Sequence, residues 1–484
     1  MIESDDESGA GMMTSSLMAA GSPAHGELTE LRFPAGFWWG AATASYQIEG
    51  ATDEDGRTPC IWDTFAATEG KVVNGDSGAG ATEHYFRYRD DVALMASLGL
   101  NAYRFSVAWP RIRPRGGDRS NPAGIAFYDK LVDELLGKGI KPVATLYHWD
   151  LPQELEDAGG WTNRDTAHRF GDYAADVAAA LGDRIELWCT LNEPWCSAFL
   201  GYGSGAHAPG RTNHADSLAA AHHLLLAHGL GTAAIRASGK DANISLAINA
   251  GVVRAFSDDP ADLDAARRID GMLNRIFLDP IFKGAYPQDV LADTAQTSDW
   301  SFVREGDLEI IGAPIDGLGL NYYQPDLVSA ANPPRDDPHG PYPTGDRVTW
   351  HRAEGPRTDM DWPIDPSGLE EILLRIKRDY GDIALYITEN GAAFPDKVVD
   401  GQVQDTERID FLHRHLVAAH QALQAGANLR GYFVWSLLDN FEWALGYGKR
   451  FGIIHVDYET QVRTLKQSAH WYRDVIASGG VPRR

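Results

Sequence analysis

Basic residues, cysteine and long apolar runs are all scarce in this 484-residue chain. Lysine and arginine total 43 against 68 aspartates and glutamates, a formal net charge of −25. So acidic a protein cannot neutralise phosphates across a broad face, which excludes a nucleic-acid partner. The three cysteines, Cys60, Cys189 and Cys196, are odd in number and match no zinc-ligand spacing. They read as reduced, buried thiols of a cytoplasmic protein. No uninterrupted apolar run reaches membrane length, so a soluble chain with no membrane partner is expected. Histidines cluster only as His222-His223 and as His413 with His415, inside helical patterns, so no metal site is expected. Whether copies associate as a homo-oligomer is left open.

Residues 1–30 differ from the rest. Ile2 to Ser8 is acidic, and Gly9 to Gly26 is small and polar with scattered methionines. Leu17 to Ala20 faintly resembles a signal-peptide core, but acids occupy the place of its basic leader. This stretch is expected to be a disordered extension, with Met12, Met13 and Met18 as alternative starts. Residues 31–480 are expected to form one catalytic unit.

What the chain does have is alternation. Strand-like runs recur at Phe37 to Ala44, Asn101 to Trp109, Lys141 to Tyr147, Ile185 to Leu191, Ile244 to Asn249, Gly317 to Tyr322, Ala384 to Thr388 and Gly431 to Trp435. Helical patterns lie between them. In Ile125 to Leu136, for example, Ile125, Tyr128, Leu131, Val132, Leu135 and Leu136 share one face, closed by Gly137 and Gly139. Eight strands alternating with helices predict an α/β fold, a single (β/α)8 TIM barrel, with long loops at the carboxyl face of the strands. Such a barrel carries its reactive residues on that face.

Two strands end in glutamate: Ile387-Thr388-Glu389-Asn390-Gly391, and Thr190-Leu191-Asn192-Glu193-Pro194. One strand-end glutamate is usually a surface residue. Two on one rim are what a two-carboxylate glycosidase requires. Arg104, His148-Trp149-Asp150, Asn321, Tyr323 and Trp435 fall at other strand ends. The 14 tryptophans suit either a large core or a sugar site, since pyranose C–H faces pack on indoles.

These segments, together with Phe33 to Gly40, Ala42 to Gly50, Tyr103-Arg104-Phe105-Ser106, Asn321-Tyr322-Tyr323, Trp435-Ser436 and Asn440-Phe441-Glu442-Trp443, resemble glycoside hydrolase family 1 in family order. The resemblance runs from about Phe33 to Trp471. It implies a retaining β-glucosidase acting on terminal β-D-glucosyl residues of cello-oligosaccharides, as in cellulose degradation, and of aryl and plant β-glucosides. Side activity on β-galactosides or β-fucosides is implied, and no cofactor.

By that resemblance Glu389 is the nucleophile and Glu193 the acid/base, with Arg104 and Tyr323 keeping Glu389 ionised and Glu389 disfavouring a charge on Glu193. Gln47, His148, Trp149, Asn192, Asn321, Tyr323, Trp362, Trp435, Glu442, Trp443 and Phe451 are the implied substrate-binding residues. Trp350 competes with Trp362 for the aglycone side. An intact Glu442-Trp443 pair argues against 6-phosphosugar substrates, and the presence of Glu193 argues against the thioglucosidase branch. Readings from other classes are a non-catalytic sugar-binding relative and a metal-dependent barrel hydrolase.

Overall fold

The computed structural model describes residues 30–239, 241–332 and 340–483. The expected disordered extension, apart from Glu30, lies outside the described residues. Glu30 itself sits in a short strand, Glu30–Arg32, paired antiparallel with Gly480–Pro482.

Runs that are apolar throughout, buried from both sides, suit a parallel sheet with helices outside it. Eight such strands close into a barrel. They are β1 (Trp38–Ala42), β2 (Ala102–Ser106), β3 (Lys141–Tyr147), β4 (Leu187–Asn192), β5 (Ile244–Asn249), β6 (Gly317–Asn321), β7 (Ala384–Asn390) and β8 (Leu429–Trp435). Each pairs in parallel with its sequence neighbour, and β8 returns to β1 through Gly431↔Trp38 to Trp435↔Ala42. The eight expected strands are these eight, with shifted ends. The expected second strand ran on to Trp109, which instead opens a helical turn, Trp109–Ile112.

Helices surround the barrel: among them α1 (His84–Ser97), α2 (Pro122–Gly137), α3 (Arg164–Leu181), α4 (His214–Ala237), α5 (Pro366–Tyr380) and α6 (Thr406–Gln424). Local chemistry starts them. Asn121 caps α2 by accepting from the Ala123 amide, with Pro122 at the first helical position. Asn213 caps α4 by accepting from Ala215 and Asp216. Leu136 departs from its expected place, being 43% exposed, because the buried face of α2 is centred on Phe127, Tyr128, Leu131 and Leu135. By length and composition alone helix α4 could cross a membrane, although histidines, a serine and a threonine interrupt its apolar residues. Most of it is buried inside the protein, against α3 and the turn after β4.

Loops at the carboxyl ends build a second layer. A wide π-type turn, Cys196–Ser204, follows β4. Segments Val253–Ala255, Asp326–Ala330 and Val348–Trp350, from the loops after β5 and β6, form a three-stranded sheet.

Candidate active site

The two strand-end glutamates are both buried, Glu193 5% and Glu389 3% exposed. Both line one pocket of about 460 Å³ at the carboxyl ends of the strands. Glu389 ends up there because β7 runs one residue past it, and Gly391 then lets the chain press on β8. A Cβ at Gly391 would stand 1.6 Å from the Trp435 carbonyl oxygen, so no larger residue fits.

Arg104 on β2 donates to Glu389 Oε1 at 2.6 Å, and the Tyr323 hydroxyl donates to Oε2 at 2.8 Å. Burial raises the Glu389 carboxyl on balance, and the Arg104 guanidinium and the Tyr323 hydroxyl oppose that rise by favouring the charged form. Arg104 donates also to Thr145 Oγ1 at 3.1 Å and to Asn192 Oδ1 at 2.6 Å.

Glu193 is treated differently. It receives Asn321 Nδ2 on Oε1 at 2.8 Å and the Cys196 thiol on Oε2 at 3.1 Å, but no cation. Burial first, and then the nearby Glu389 charge, push it up to about 7. Burial thus leads, where the sequence reading invoked only the neighbouring carboxylate. Its backbone is left-handed, φ 46°, at the turn from β4 into the following helix. Two other pocket residues, Trp149 (φ 74°) and Trp443 (φ 48°), share this strained region.

At the deep end of the pocket and just behind its wall lie buried polar side-chain atoms with no protein partner. Gln47 donates through Nε2 to Asn440 Oδ1 and to the Phe441 carbonyl, leaving Oε1 without a partner. Asn192 accepts on Oδ1 from Arg104 and Asn321, so its amide donates to His148 Nε2 at 3.0 Å. Burial holds His148 well below its usual range, and the neutral ring therefore carries its proton on Nδ1, which is also unpartnered. Glu442 Oε2 is the third such atom. Burial, then Glu389 and Glu193, push Glu442 up to about 8, so near neutrality it is a carboxylic acid that both donates and accepts. Each of these atoms costs about 1–3 kcal/mol left unpaired, so together they are set for a hydroxyl-rich ligand.

His148, Trp149, Asn321, Tyr323, Trp362, Trp435, Glu442, Trp443 and Phe451 line the pocket. Gln47, Asn192 and Arg104 stand behind that wall, fully or almost fully buried. Trp362 packs on Tyr323 (5.4 Å) and Phe451 (6.0 Å), and Trp350 also reaches the pocket, so the two tryptophans are not exclusive alternatives. Asn390, next to Glu389 in sequence, turns away. Its amide binds the Tyr322 carbonyl and its oxygen the Tyr432 hydroxyl, tying strands together. The histidines considered for a metal are engaged elsewhere, His222 with Tyr286 and Asp307, and His415 with the Phe411 carbonyl.

Sequence reasoning missed Trp195, Tyr342, Asn249 and Asp326. Tyr342 links Trp195 (5.5 Å) to Trp350 (5.9 Å, 11° between planes) in an aromatic wall. Asn249 closes β5, so the strand-end rule already pointed to it. Trp195 follows the Glu193 motif directly. Tyr342 and Asp326 lie in long loops and carry no such signal.

A closed eight-stranded barrel with two differently treated carboxylates on its rim belongs to a defined class of hydrolases. The chain is a member of glycosyl hydrolase family 1, whose profile matches residues 29–481. It is 51% identical over 468 residues to thermostable beta-glucosidase B of Thermobispora bispora, covering 96% of this chain and 94% of that protein. It is 49% identical over 458 residues to the bifunctional beta-D-glucosidase/beta-D-fucosidase of Bifidobacterium breve, covering 92% and 98%. Among solved structures, the beta-glucosidase from Thermotoga maritima in complex with glucoimidazole is similar at TM-score 0.89 and 44% identity, covering 93% of this chain and all of that one.

Proposed function

We propose that the protein is a retaining β-glucosidase that removes terminal β-D-glucosyl residues by double displacement, without a cofactor. The observation that carries this is the opposite treatment of two buried glutamates: a cation and a phenol on Glu389, burial without a cation on Glu193. Glu389, ionised, attacks the anomeric carbon and forms a glycosyl ester. Glu193, protonated, delivers its proton to the leaving oxygen, then removes one from the incoming water. Gln47, His148, Asn192, Glu442 and the Trp443 indole hold the glycone hydroxyls, and Trp435 stacks beneath the ring. Trp149 donates through Nε1 to the Asn192 carbonyl at 3.0 Å, fixing the strand end that carries the acid/base.

Residues 31–480 are the catalytic unit in this reading. Cello-oligosaccharides and aryl and plant glucosides are the proposed substrates, with β-fucosides and β-galactosides as secondary ones; the Bifidobacterium breve relative supports the fucoside activity. Three free, buried cysteines fit a cytoplasmic enzyme.

The test is an azide experiment on dinitrophenyl β-glucoside, whose leaving group barely needs a proton. Glu193→Ala should still form the glycosyl-enzyme and stall, and azide should release it as the β-glycosyl azide. Rescue of a Glu389 variant to β-azide, with none for Glu193→Ala, would reverse the two roles. For the native enzyme, proton NMR of fresh product should show the β anomer; an initial α anomer would sink the double displacement.

A further inference from the structure

Cys196 is one helical turn beyond Glu193, at the start of the Cys196–Ser204 turn, and both side chains line the pocket. Its Sγ donates to Glu193 Oε2 at 3.1 Å, opposite the Asn321 amide on Oε1. Cys196 is itself buried, 8% exposed. Burial and the Glu193 charge hold the thiol well above its ordinary range, which keeps it an S–H donor.

We infer that Cys196 is a positioning residue that orients the Glu193 carboxyl and sets the pH at which it gives up its proton. This rests on the reading of Glu193 as acid/base. A donor bonded to a carboxylate favours the charged form and lowers its pKa. At this site burial and Glu389 oppose the charge, whereas Asn321, Cys196 and Arg104 favour it, and Glu442, protonated near neutrality, adds no charge of its own. The Tyr323 phenol also faces the pair but stays protonated, and Tyr342 stands beyond Cys196. An S–H is a weak donor. It fixes the second oxygen with less bias towards the carboxylate than a hydroxyl would exert, so the acid keeps its proton further into the neutral range.

The sign follows. Removing the donor raises the pKa of Glu193 and moves the basic limb of kcat/KM to higher pH; a stronger donor moves it lower. The measurement is the pH profile of kcat/KM for phenyl β-glucoside, a leaving group that needs the proton, in the native enzyme and in Cys196→Ala, Cys196→Val and Cys196→Ser. Ala and Val leave different volumes yet both lack a donor, so a shared upward shift of about 0.5 pH unit reports the lost bond rather than packing. Ser should shift the limb down by a similar amount, and the acid limb should stay in place in all three. Coincident basic limbs, or a shift of the same sign in Ser and Ala, would overturn the inference. Glu193→Ala with azide runs alongside. If rescue succeeds and the limbs coincide, the thiol role alone is wrong; if rescue fails, the acid/base reading falls and this inference with it.

Discussion

The two ends of the pocket are built on different principles. The deep end is polar, buried and drawn from strand ends across the whole chain: Gln47 after β1, His148 after β3, Asn192 on β4, Glu389 on β7 and Glu442 after β8. Its Gln47, His148 and Glu442 atoms have no protein partner. The outer end is aromatic and comes from loops, with Trp195, Tyr342, Trp350 and Trp362 on its wall. Hydrogen-bonding sites discriminate sharply, because a wrong ligand leaves buried polar groups unpaired; apolar walls discriminate weakly. The contrast supports glycone recognition by hydrogen bonds and aglycone recognition by apolar contact.

The largest effect should come from the deep end. Glu389→Gly removes the only group able to form the glycosyl bond, so turnover of every β-glycoside should vanish, whatever the leaving group. Residual activity that tracks leaving-group acidity would mean another nucleophile.

Next is Glu442→Ala, expected to cost about 2–4 kcal/mol in kcat/KM on glucosides, since it strips hydrogen bonds to the sugar in a closed site. The penalty should be much smaller on xylosides, which lack the 6-hydroxymethyl group. Equal losses on both would place Glu442 outside the glycone contacts.

Glu442 also makes a stability prediction. Its folded pKa of about 8 lies above its unfolded value. Stability from this group is therefore complete below the unfolded pKa, near 4.3, and is lost as pH rises through about 8. Glu442→Gln should raise Tm by a few degrees at pH 9 and change it little at pH 4. A shift of the same size at both pH values would refute the buried protonated acid.

The outer end should respond less. Trp350→Ala or Trp362→Ala should lower kcat/KM for aryl glucosides by about 1–3 kcal/mol, mostly through KM, as stacking area is lost. A loss confined to kcat would put that tryptophan at the reacting centre. The smallest effect is charge selectivity. Asp326 lines the outer pocket, and burial pushes it up to about 6, so it is largely ionised above neutral pH. Asp326→Asn should change the ratio of kcat/KM for ammonium-bearing and carboxylate-bearing aryl glucosides by about 2–5-fold, consistent with one screened charge. An unchanged ratio would show that the carboxylate does not sense the aglycone.

The barrel, and the strand-end residues that meet at the pocket, were legible in local residue patterns. Strand periods are local, helix caps such as Asn121 and Asn213 are local, and the rim rule turns a strand end into a candidate site. That is why Glu193 and Glu389 could be paired before their distance in the fold was known. The remainder depends on contacts between segments far apart in the chain. Asn192 and Asn390 look alike in sequence, each beside a glutamate, yet one bonds Arg104 and His148 while the other ties β7 to its neighbours. The orientation of a strand-end amide depends on which partners the adjacent strands supply. The proton on Glu442 likewise comes from burial, which no residue spacing encodes. Tyr342 and Asp326 reach the pocket because the loops after β5 and β6 fold into a sheet beside it, through pairings far apart in the chain.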